Sequence, residues 1–310
     1  MPRAPATLTA VDGVRVGHAQ DPNARSGVTA LVFASAAPTV IDVRGGAAAT
    51  YDTASLSLES TFGRRWALFF AGGSVFGLDA ARGVRERILE EGGGHTAFRN
   101  PHTVVPISGA ALFDLPSSAT ELPDYRSLGY DAARAASRRA VTFGRVGAGT
   151  GATVDKLRGR KFASPGGVGS AAARVRGLGW IGVLAVANSV GAIRDPSTGR
   201  WISGAGGAKG LHVSKVGGAS ARGTNLVAVV TDAAVSRSEL ARIAILTQSG
   251  LARAVVPANT ATDGDLVFAT STAGTRPSRP EERPGGRADA LGTAAADLVA
   301  IALRAAISSR

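Results

Sequence analysis

Lys215-Val-Gly-Gly-Ala-Ser-Ala-Arg-Gly223-Thr224-Asn-Leu-Val-Ala-Val-Val-Thr-Asp232 joins a loop of small residues directly to a strongly apolar strand, and Thr224 sits at the junction. Taken alone, it is a loop-to-strand boundary at which a threonine begins the strand. The same residues also allow a chemical reading. The Thr224 hydroxyl could attack the carbonyl of Gly223 in an N-to-O acyl shift followed by hydrolysis, with glycine tolerating the backbone that attack demands. The new N-terminal threonine would carry nucleophile and base together. Its α-amine, with a reference pKa of about 7.7–8.0, can take the proton of its own hydroxyl.

Outward from this junction, apolar segments bounded by Gly, Pro, Asn or Asp predict strands at Ala30–Ala34, Thr39–Val43, Ala67–Phe70, Val104–Ile107, Ile181–Ala187, Leu226–Thr231 and Leu266–Thr270. Helical spacing of Phe76, Ala80, Val84 and Ile88 predicts a helix over Ser74–Glu91, and Asp131–Ala140 reads as a short Ala/Arg helix. Ser236-Arg-Ser-Glu239 is a capping box opening a helix over Ser236–Ala254. The alanine-rich Ala288–Ile307 predicts a packed last helix, after a surface loop at Thr275–Arg287. No internal repeat is evident, so residues 1–310 read as one α/β domain of sheets covered by helices.

Composition narrows the chemistry. The 41 glycines suit short strands and tight turns, and zero cysteines exclude a disulfide framework, a thiolate nucleophile and Cys-ligated zinc. The net charge of +12 is spread over scattered arginines and four lysines, without the aromatic-interleaved basic stripe of a nucleic-acid binder. No nucleic-acid partner is therefore expected. The four histidines lie far apart, so no metal site is expected. Gly147-Ala-Gly149-Thr-Gly-Ala152 matches a dinucleotide fingerprint, but Gly159 interrupts the segment after it and no long helix is foreseen there, so no cofactor is expected. With neither a signal peptide nor an uninterrupted 18-residue apolar run, a cytoplasmic protein without membrane contact is expected.

A series of blocks runs through the chain: Val11-Asp-Gly-Val-Arg-Val-Gly-His18, Val43-Arg-Gly-Gly46, Ala71-Gly-Gly-Ser-Val-Phe-Gly-Leu-Asp-Ala-Ala81 and Gly147-Ala-Gly-Thr-Gly-Ala-Thr-Val-Asp-Lys156. Val186-Ala-Asn188-Ser-Val-Gly191, the Gly223/Thr224 junction, Leu251-Ala-Arg-Ala-Val-Val-Pro257 and Thr262-Asp263-Gly-Asp265-Leu-Val-Phe-Ala269 follow. In sequence and in order these blocks resemble the DmpA family of self-processing peptidases, which includes the L-aminopeptidase/D-esterase, the β-peptidyl aminopeptidases and the nylon-oligomer hydrolases.

The resemblance implies a four-layer αββα sandwich, shared with ornithine acetyltransferase, with the nucleophile at the start of a central strand. It implies self-cleavage into 1–223 and 224–310 and a homo-oligomer, a tetramer of processed chains. Thr224 matches the nucleophile and Asn188 the asparagine that holds the oxyanion. Lys156 matches a lysine whose charge would keep the α-amine neutral. Asp263 and Asp265 match the pair that orients nucleophile and amine. Two carboxylates two residues apart on an extended chain point to one side, although an Asp-Gly-Asp turn is the plainer reading.

Two positions depart from the family. Phe113 stands where relatives carry a tyrosine, so no phenolic donor is available, and Asp155 stands where a glycine is expected. Asp155 would pair with Lys156 or bind a substrate amine, so both Phe113 and Asp155 are candidates for substrate binding. The implied activity is amide hydrolysis, an aminopeptidase acting on short peptides or amino-acid amides through an acyl-threonine. Three alternatives remain open: an endo-amidase on ω-amino acid oligomers, an acyl transferase of the ornithine acetyltransferase kind, and an uncut, inactive binding protein.

Overall fold

The computed structural model describes residues 6–96, 101–115, 121–157, 159, 163–203, 222–275 and 285–308. Lys161, Lys209, His212, residues 215–221 before the junction, and most of the loop expected at 275–287 lie outside the described residues.

In chain order the strands are β1 (Val14–Asp21), β2 (Ser26–Val43), β3 (Ala49–Tyr51), β4 (Arg64–Ala71), β5 (His95–Thr96), β6 (Thr103–Val104), β7 (Ile107–Ala111), β8 (Thr153–Val154), β9 (Ser164–Pro165), β10 (Gly167–Val175), β11 (Gly179–Ala187), β12 (Ala192–Ile193), β13 (Leu226–Thr231), β14 (Val255–Val256) and β15 (Leu266–Ser271). The helices are α1 (Ala80–Glu90), α2 (Tyr125–Arg134), α3 (Arg237–Ala254) and α4 (Gly286–Ser308).

Strand β2 builds the architecture. Its first half pairs with β1 and β4, and its second half, from Thr39 to Val43, pairs with β15. One sheet therefore runs β1-β2-β4-β7-β3 and the other β10-β11-β13-β15-β2, with β2 passing from one to the other. A register shift between Val32 and Ala37 marks the crossing, which is why the sequence shows two apolar segments where the chain makes one strand.

Three separate cores define four layers. Leu226, Ala228, Val230, Leu266 and Phe268 of one sheet pack against Leu31, Phe33, Leu68 and Phe70 of the other. The alternate residues Val227, Val229 and Val267 meet Leu240, Ile243, Leu251, Leu291 and Val299 of α3 and α4. On the far side, Ala30, Ala67, Phe69 and Ile107 meet Val84, Ile88 and Ala132 of α1 and α2. Strands buried on both faces read as continuous apolar runs, which is the pattern of β13 and β15. The αββα sandwich expected from the family resemblance is the observed fold.

Several boundaries differ from expectation. The segment expected at Val104–Ile107 divides into β6 and β7. Residues 74–79 form a 3-10 turn before α1 begins. The helix expected at Asp131–Ala140 is α2, six residues earlier, because the Asp124 side chain caps it by accepting the Ser127 N–H and Ser137 leaves to bridge Val16. The Ser236/Glu239 capping box is present as expected. Strands β1 and β10 were not foreseen; their glycines, alanines and charges blur the apolar alternation.

Helix α4 is long and apolar enough by composition to cross a membrane, and 50% of its most apolar window is buried within the protein. Its Leu291, Leu298, Val299 and Leu303 belong to the helix-sheet core, which accounts for its composition.

Candidate active site

Antiparallel pairing brings the C-terminal end of β11 beside the N-terminal end of β13, and β15 lies parallel on the other flank of β13. The residues just outside these strand ends therefore converge: Asn188 after β11, Thr224 and Asn225 before β13, and Asp263 and Asp265 before β15. The parallel register of Leu226 with Leu266 extends back to a bridge between Gly223 and Asp263, so Thr224 lies opposite Gly264. All of these side chains are buried.

In the uncut chain the Thr224 hydroxyl donates a hydrogen bond to the carbonyl oxygen of Gly223. That oxygen also accepts the Gly264 N–H at 3.0 Å. The Thr224 N–H donates to the Asn188 carbonyl oxygen at 2.9 Å. Lys156 reaches the same place, its Nζ lying 2.8 Å from the Asn188 carbonyl oxygen, 2.8 Å from Asn188 Oδ1 and 3.1 Å from the Arg222 carbonyl oxygen. Thr224 N and Lys156 Nζ thus share one acceptor and are held no farther apart than two hydrogen-bond lengths.

The Asn188 amide is oriented on both sides. Its Oδ1 accepts from Lys156 and from the Thr153 N–H at 3.0 Å, and its Nδ2 donates to the Phe113 carbonyl oxygen at 3.2 Å. One Nδ2 hydrogen is thereby used, and an amide carries a second. The half-buried Phe113 ring lies under the Arg222 guanidinium, 5.8 Å from carbon to centroid.

The two aspartates divide their work. Asp263 Oδ1 accepts the Val190 N–H at 3.1 Å, and its Oδ2 accepts the Thr260 hydroxyl at 2.7 Å, closing a turn at 260–263. Asp265 Oδ1 accepts the Asn225 N–H at 2.7 Å and Asn225 Nδ2 at 3.0 Å, while its Oδ2 accepts the Asn259 N–H at 2.8 Å. Burial, and then the neighbouring Asp263 charge, pushes the Asp265 carboxyl up to about 6 despite these donors. The turn therefore lies at 260–263, ahead of Asp263-Gly264-Asp265 rather than within it, and each aspartate accepts from its own set of backbone donors.

The glycine signatures serve as cradles for this centre. Backbone N–H groups of Arg44 and Gly45 donate to the Asp265 carbonyl oxygen at 3.0 Å, and that of Ala47 to the Asp263 carbonyl oxygen at 2.8 Å. A Cβ on Gly45 would lie 2.5 Å from the Asp263 oxygen, so only glycine permits the approach. Gly147–Gly149 form a 3-10 turn that leads into β8 rather than a long helix.

Asp155 adopts φ +59°, a left-handed conformation, which gives the physical reason for the glycine expected there. Its N–H donates to the Gly191 carbonyl oxygen at 3.0 Å and that of Lys156 to Val190 at 2.8 Å, fixing the start of the lysine side chain.

Sequence reading missed Asn225, which links Asp265 to Asn188 through its Oδ1 and the Asn188 N–H at 3.3 Å. A polar residue beside the nominated threonine was the available signal. Gly264 was missed because a backbone donor leaves no side-chain signature. Asp114, next to Phe113, was missed as well. It is buried, accepts the Gly73 N–H at 2.8 Å and is pushed up to about 6 by burial, partly offset by the Gly73 N–H and, more weakly, by the Lys156 charge.

The family model described as peptidase family S58 matches residues 6–309. A protein of Mycobacterium tuberculosis named as an uncharacterized aminopeptidase is 35% identical over 289 residues, covering 86% of this chain and 81% of the relative. A 6-aminohexanoate-oligomer endohydrolase of Kocuria sp. is 28% identical over 305 residues, covering 93% and 82%. Among solved structures, the L-aminopeptidase D-Ala-esterase/amidase of Ochrobactrum anthropi, described as a variant of the Ntn hydrolase fold, superposes with a TM-score of 0.66 at 19% identity over 99% and 87% of the two chains. A Burkholderia sp. β-aminopeptidase gives 0.68 at 20% over 98% and 87%.

Proposed function

The chain belongs to peptidase family S58, and from that premise we propose that it is an amide-bond hydrolase, an aminopeptidase on short peptides or amino-acid amides, that first cuts itself between Gly223 and Thr224. The observation that carries this reading is the contact of the Thr224 hydroxyl with the Gly223 carbonyl, whose oxygen already receives the Gly264 N–H. A donor aimed at that oxygen stabilises the negative charge that develops when the carbonyl is attacked.

In self-cleavage the Thr224 Oγ1–carbon bond forms, the Gly223–Thr224 C–N bond breaks, and the freed amine takes the hydroxyl proton. Water then hydrolyses the ester, leaving a Gly223 carboxylate and restoring the hydroxyl. The mature α-amine keeps the Asn188 carbonyl oxygen as acceptor beside Lys156. At a separation of at most two hydrogen-bond lengths and an effective dielectric near 20, two unit charges repel by about 3 kcal/mol or more, so the ammonium is disfavoured and the amine stays basic.

With substrate the sequence repeats. The amine takes the hydroxyl proton, Oγ1 acylates, and the leaving amine departs with that proton. Water then releases the acid. The spare Asn188 Nδ2 hydrogen and the Gly264 N–H are the oxyanion donors, and Asp265 holds Asn225 and, through it, the Asn188 backbone. Phe113 and Asp155 are assigned to substrate binding.

The test is the intact mass of purified protein. Two pieces dividing at Gly223/Thr224 are expected, with amidase activity only in cut protein. Thr224→Ala should remain one 31.2 kDa chain without activity. A wild type that stays whole yet hydrolyses amides at full rate would end this reading.

A further inference from the structure

We infer that Asp114 is a positioning residue for the reaction: its buried carboxylate holds the Phe113 carbonyl where the Asn188 amide meets it. The inference rests on the proposed function, in which the spare Asn188 Nδ2 hydrogen is an oxyanion donor.

The direction of that hydrogen depends on what grips the rest of the amide. Asn188 Nδ2 donates to the Phe113 carbonyl oxygen at 3.2 Å, and Oδ1 accepts the Thr153 N–H at 3.0 Å and Lys156 Nζ at 2.8 Å. The Phe113 carbonyl belongs to the same planar peptide group as the Asp114 N–H, so the anchoring of Asp114 sets where its oxygen points. On the other side of Phe113, the Leu112 N–H donates to the Ala71 carbonyl oxygen at 2.8 Å, and the Leu112 carbonyl oxygen accepts the Ser74 N–H at 2.8 Å. The Asp114 side chain completes the grip, its Oδ1 accepting the Gly73 N–H at 2.8 Å.

The carboxylate is also wedged between two glycines. A Cβ on Gly72 would overlap Asp114 Oδ2 and Ser26 Oγ, and one on Gly151 would lie 2.9 Å from both Cβ and Oδ2 of Asp114. Gly72 belongs to the loop after β4, and Gly151 lies two residues before Thr153 on the segment that continues to Lys156. One buried side chain therefore touches the segments that supply all three partners of the Asn188 amide.

Position and charge make opposite demands on this residue. Asp114 and Lys156 are close enough for their charges to act on each other. Oδ2, by contrast, makes no well-formed hydrogen bond among the described residues, although the Ser26 hydroxyl lies beside it. An asparagine would keep an oxygen for the Gly73 N–H and turn its amide nitrogen to the Ser26 hydroxyl, which can accept. A glutamate would keep the charge and push it one methylene farther into a closed slot. A role by position is thus preserved in Asp114→Asn and lost in Asp114→Glu, and a role by charge gives the reverse order.

The experiment follows self-cleavage after pulse-labelled cell-free synthesis of wild type, Asp114→Ala, Asp114→Asn and Asp114→Glu, read as division into 1–223 and 224–310. Circular dichroism and urea unfolding of the same substitutions in the uncut Thr224→Ala chain report folding. Asp114→Ala and Asp114→Glu should cut about 10- to 100-fold more slowly, the scale of a misplaced donor. Asp114→Asn should recover to within about threefold of wild type, since it keeps the bond to Gly73. Self-cleavage is a first-order event inside the folded chain, so a role in stability alone would lower the urea midpoint and leave the rate unchanged.

Asp114→Ala cutting at the wild-type rate, or Asp114→Asn cutting no faster than Asp114→Glu, would overturn the inference and leave the proposed function standing. Should Asp114→Ala fail to fold, the asparagine and glutamate variants still decide. Crystal structures of the uncut Thr224→Ala and Thr224→Ala/Asp114→Ala chains complete the test. Asn188 Nδ2 should part from the Phe113 carbonyl in the second, and an amide that keeps its place in a slowed chain would also overturn the inference. A wild type that never divides would remove both readings.

Discussion

Lys156 is bonded to Asn188 twice, its Nζ lying 2.8 Å from the backbone oxygen and 2.8 Å from Oδ1 of the same residue. The double attachment locks the asparagine amide in one orientation, because Oδ1 must face the ammonium and Nδ2 must then face Phe113. Position and charge of the lysine are therefore coupled to the orientation of the proposed oxyanion donor.

Lys156→Met should lower self-cleavage by about 100-fold or more, comparable to losing an oxyanion donor. It also leaves the two Asn188 oxygens with one donor each, the Thr153 and Thr224 N–H groups, and takes the lysine donor from the Arg222 carbonyl, at about 1–3 kcal/mol. Time-resolved intact mass and urea unfolding read the two effects. Cleavage at the wild-type rate would mean the lysine is only structural.

Self-cleavage and hydrolysis should both slow as pH falls through about 6, where Asp265 takes a proton and ceases to hold Asn225 as a carboxylate. Asp265→Asn should lower the plateau rate and flatten this acidic limb. Asp114 is also pushed up to about 6, so pH profiles of Asp114→Asn separate the two groups.

His18 is half-buried, with Nδ1 3.0 Å from the Thr29 hydroxyl and no partner for Nε2 among the described residues. Burial lowers its pKa from 6.5 to about 4. A depressed histidine favours the fold above its unfolded pKa, and that contribution is lost as pH falls from 6.5 toward 4, on the order of 3 kcal/mol. The raised carboxyls of Asp114 and Asp265 act in the opposite sense, adding stability as pH falls from 6 toward their ordinary range. Thermal unfolding of His18→Gln should therefore show a smaller loss of Tm between pH 7 and 4.5 than wild type. An equal loss would place the titration elsewhere.

Arg287 grips Glu239 with two hydrogen bonds of 2.9 Å, tying the start of α4 to the capping residue of α3. Arg287→Ala leaves a buried carboxylate and should cost about 3–5 kcal/mol, whereas adding Glu239→Gln should recover part of that loss. Denaturant unfolding of the double-mutant cycle measures the coupling, and strictly additive losses would argue against it.

Asp155→Gly should leave stability within about 1 kcal/mol of wild type, because glycine adopts φ +59° freely but enlarges the unfolded ensemble. Asp155→Val should lose at least about 1 kcal/mol, since a β-branched residue is strained there. It should also slow self-cleavage by disturbing Lys156. Equal stability of the two variants would show that the left-handed backbone is not what limits this position.

The apolar runs at 226–231 and 266–270 already state that these strands are buried on both faces, and Ser236 with Glu239 already states where α3 begins. Such signals are local, set by period, composition and capping, so the chain alone carries them. The order of the family blocks likewise brought Thr224, Lys156, Asn188, Asp263 and Asp265 together as candidates. What the chain could not express is distance between segments. That Lys156 and Thr224 share the Asn188 oxygen, that Gly264 faces the Gly223 carbonyl, and that Gly223 is hemmed in by Asp263 and Val190 result from strand ends meeting across the sheet. Backbone donors and crowded α-carbons have no residue-type signature, and only the packing of β11, β13 and β15 creates them.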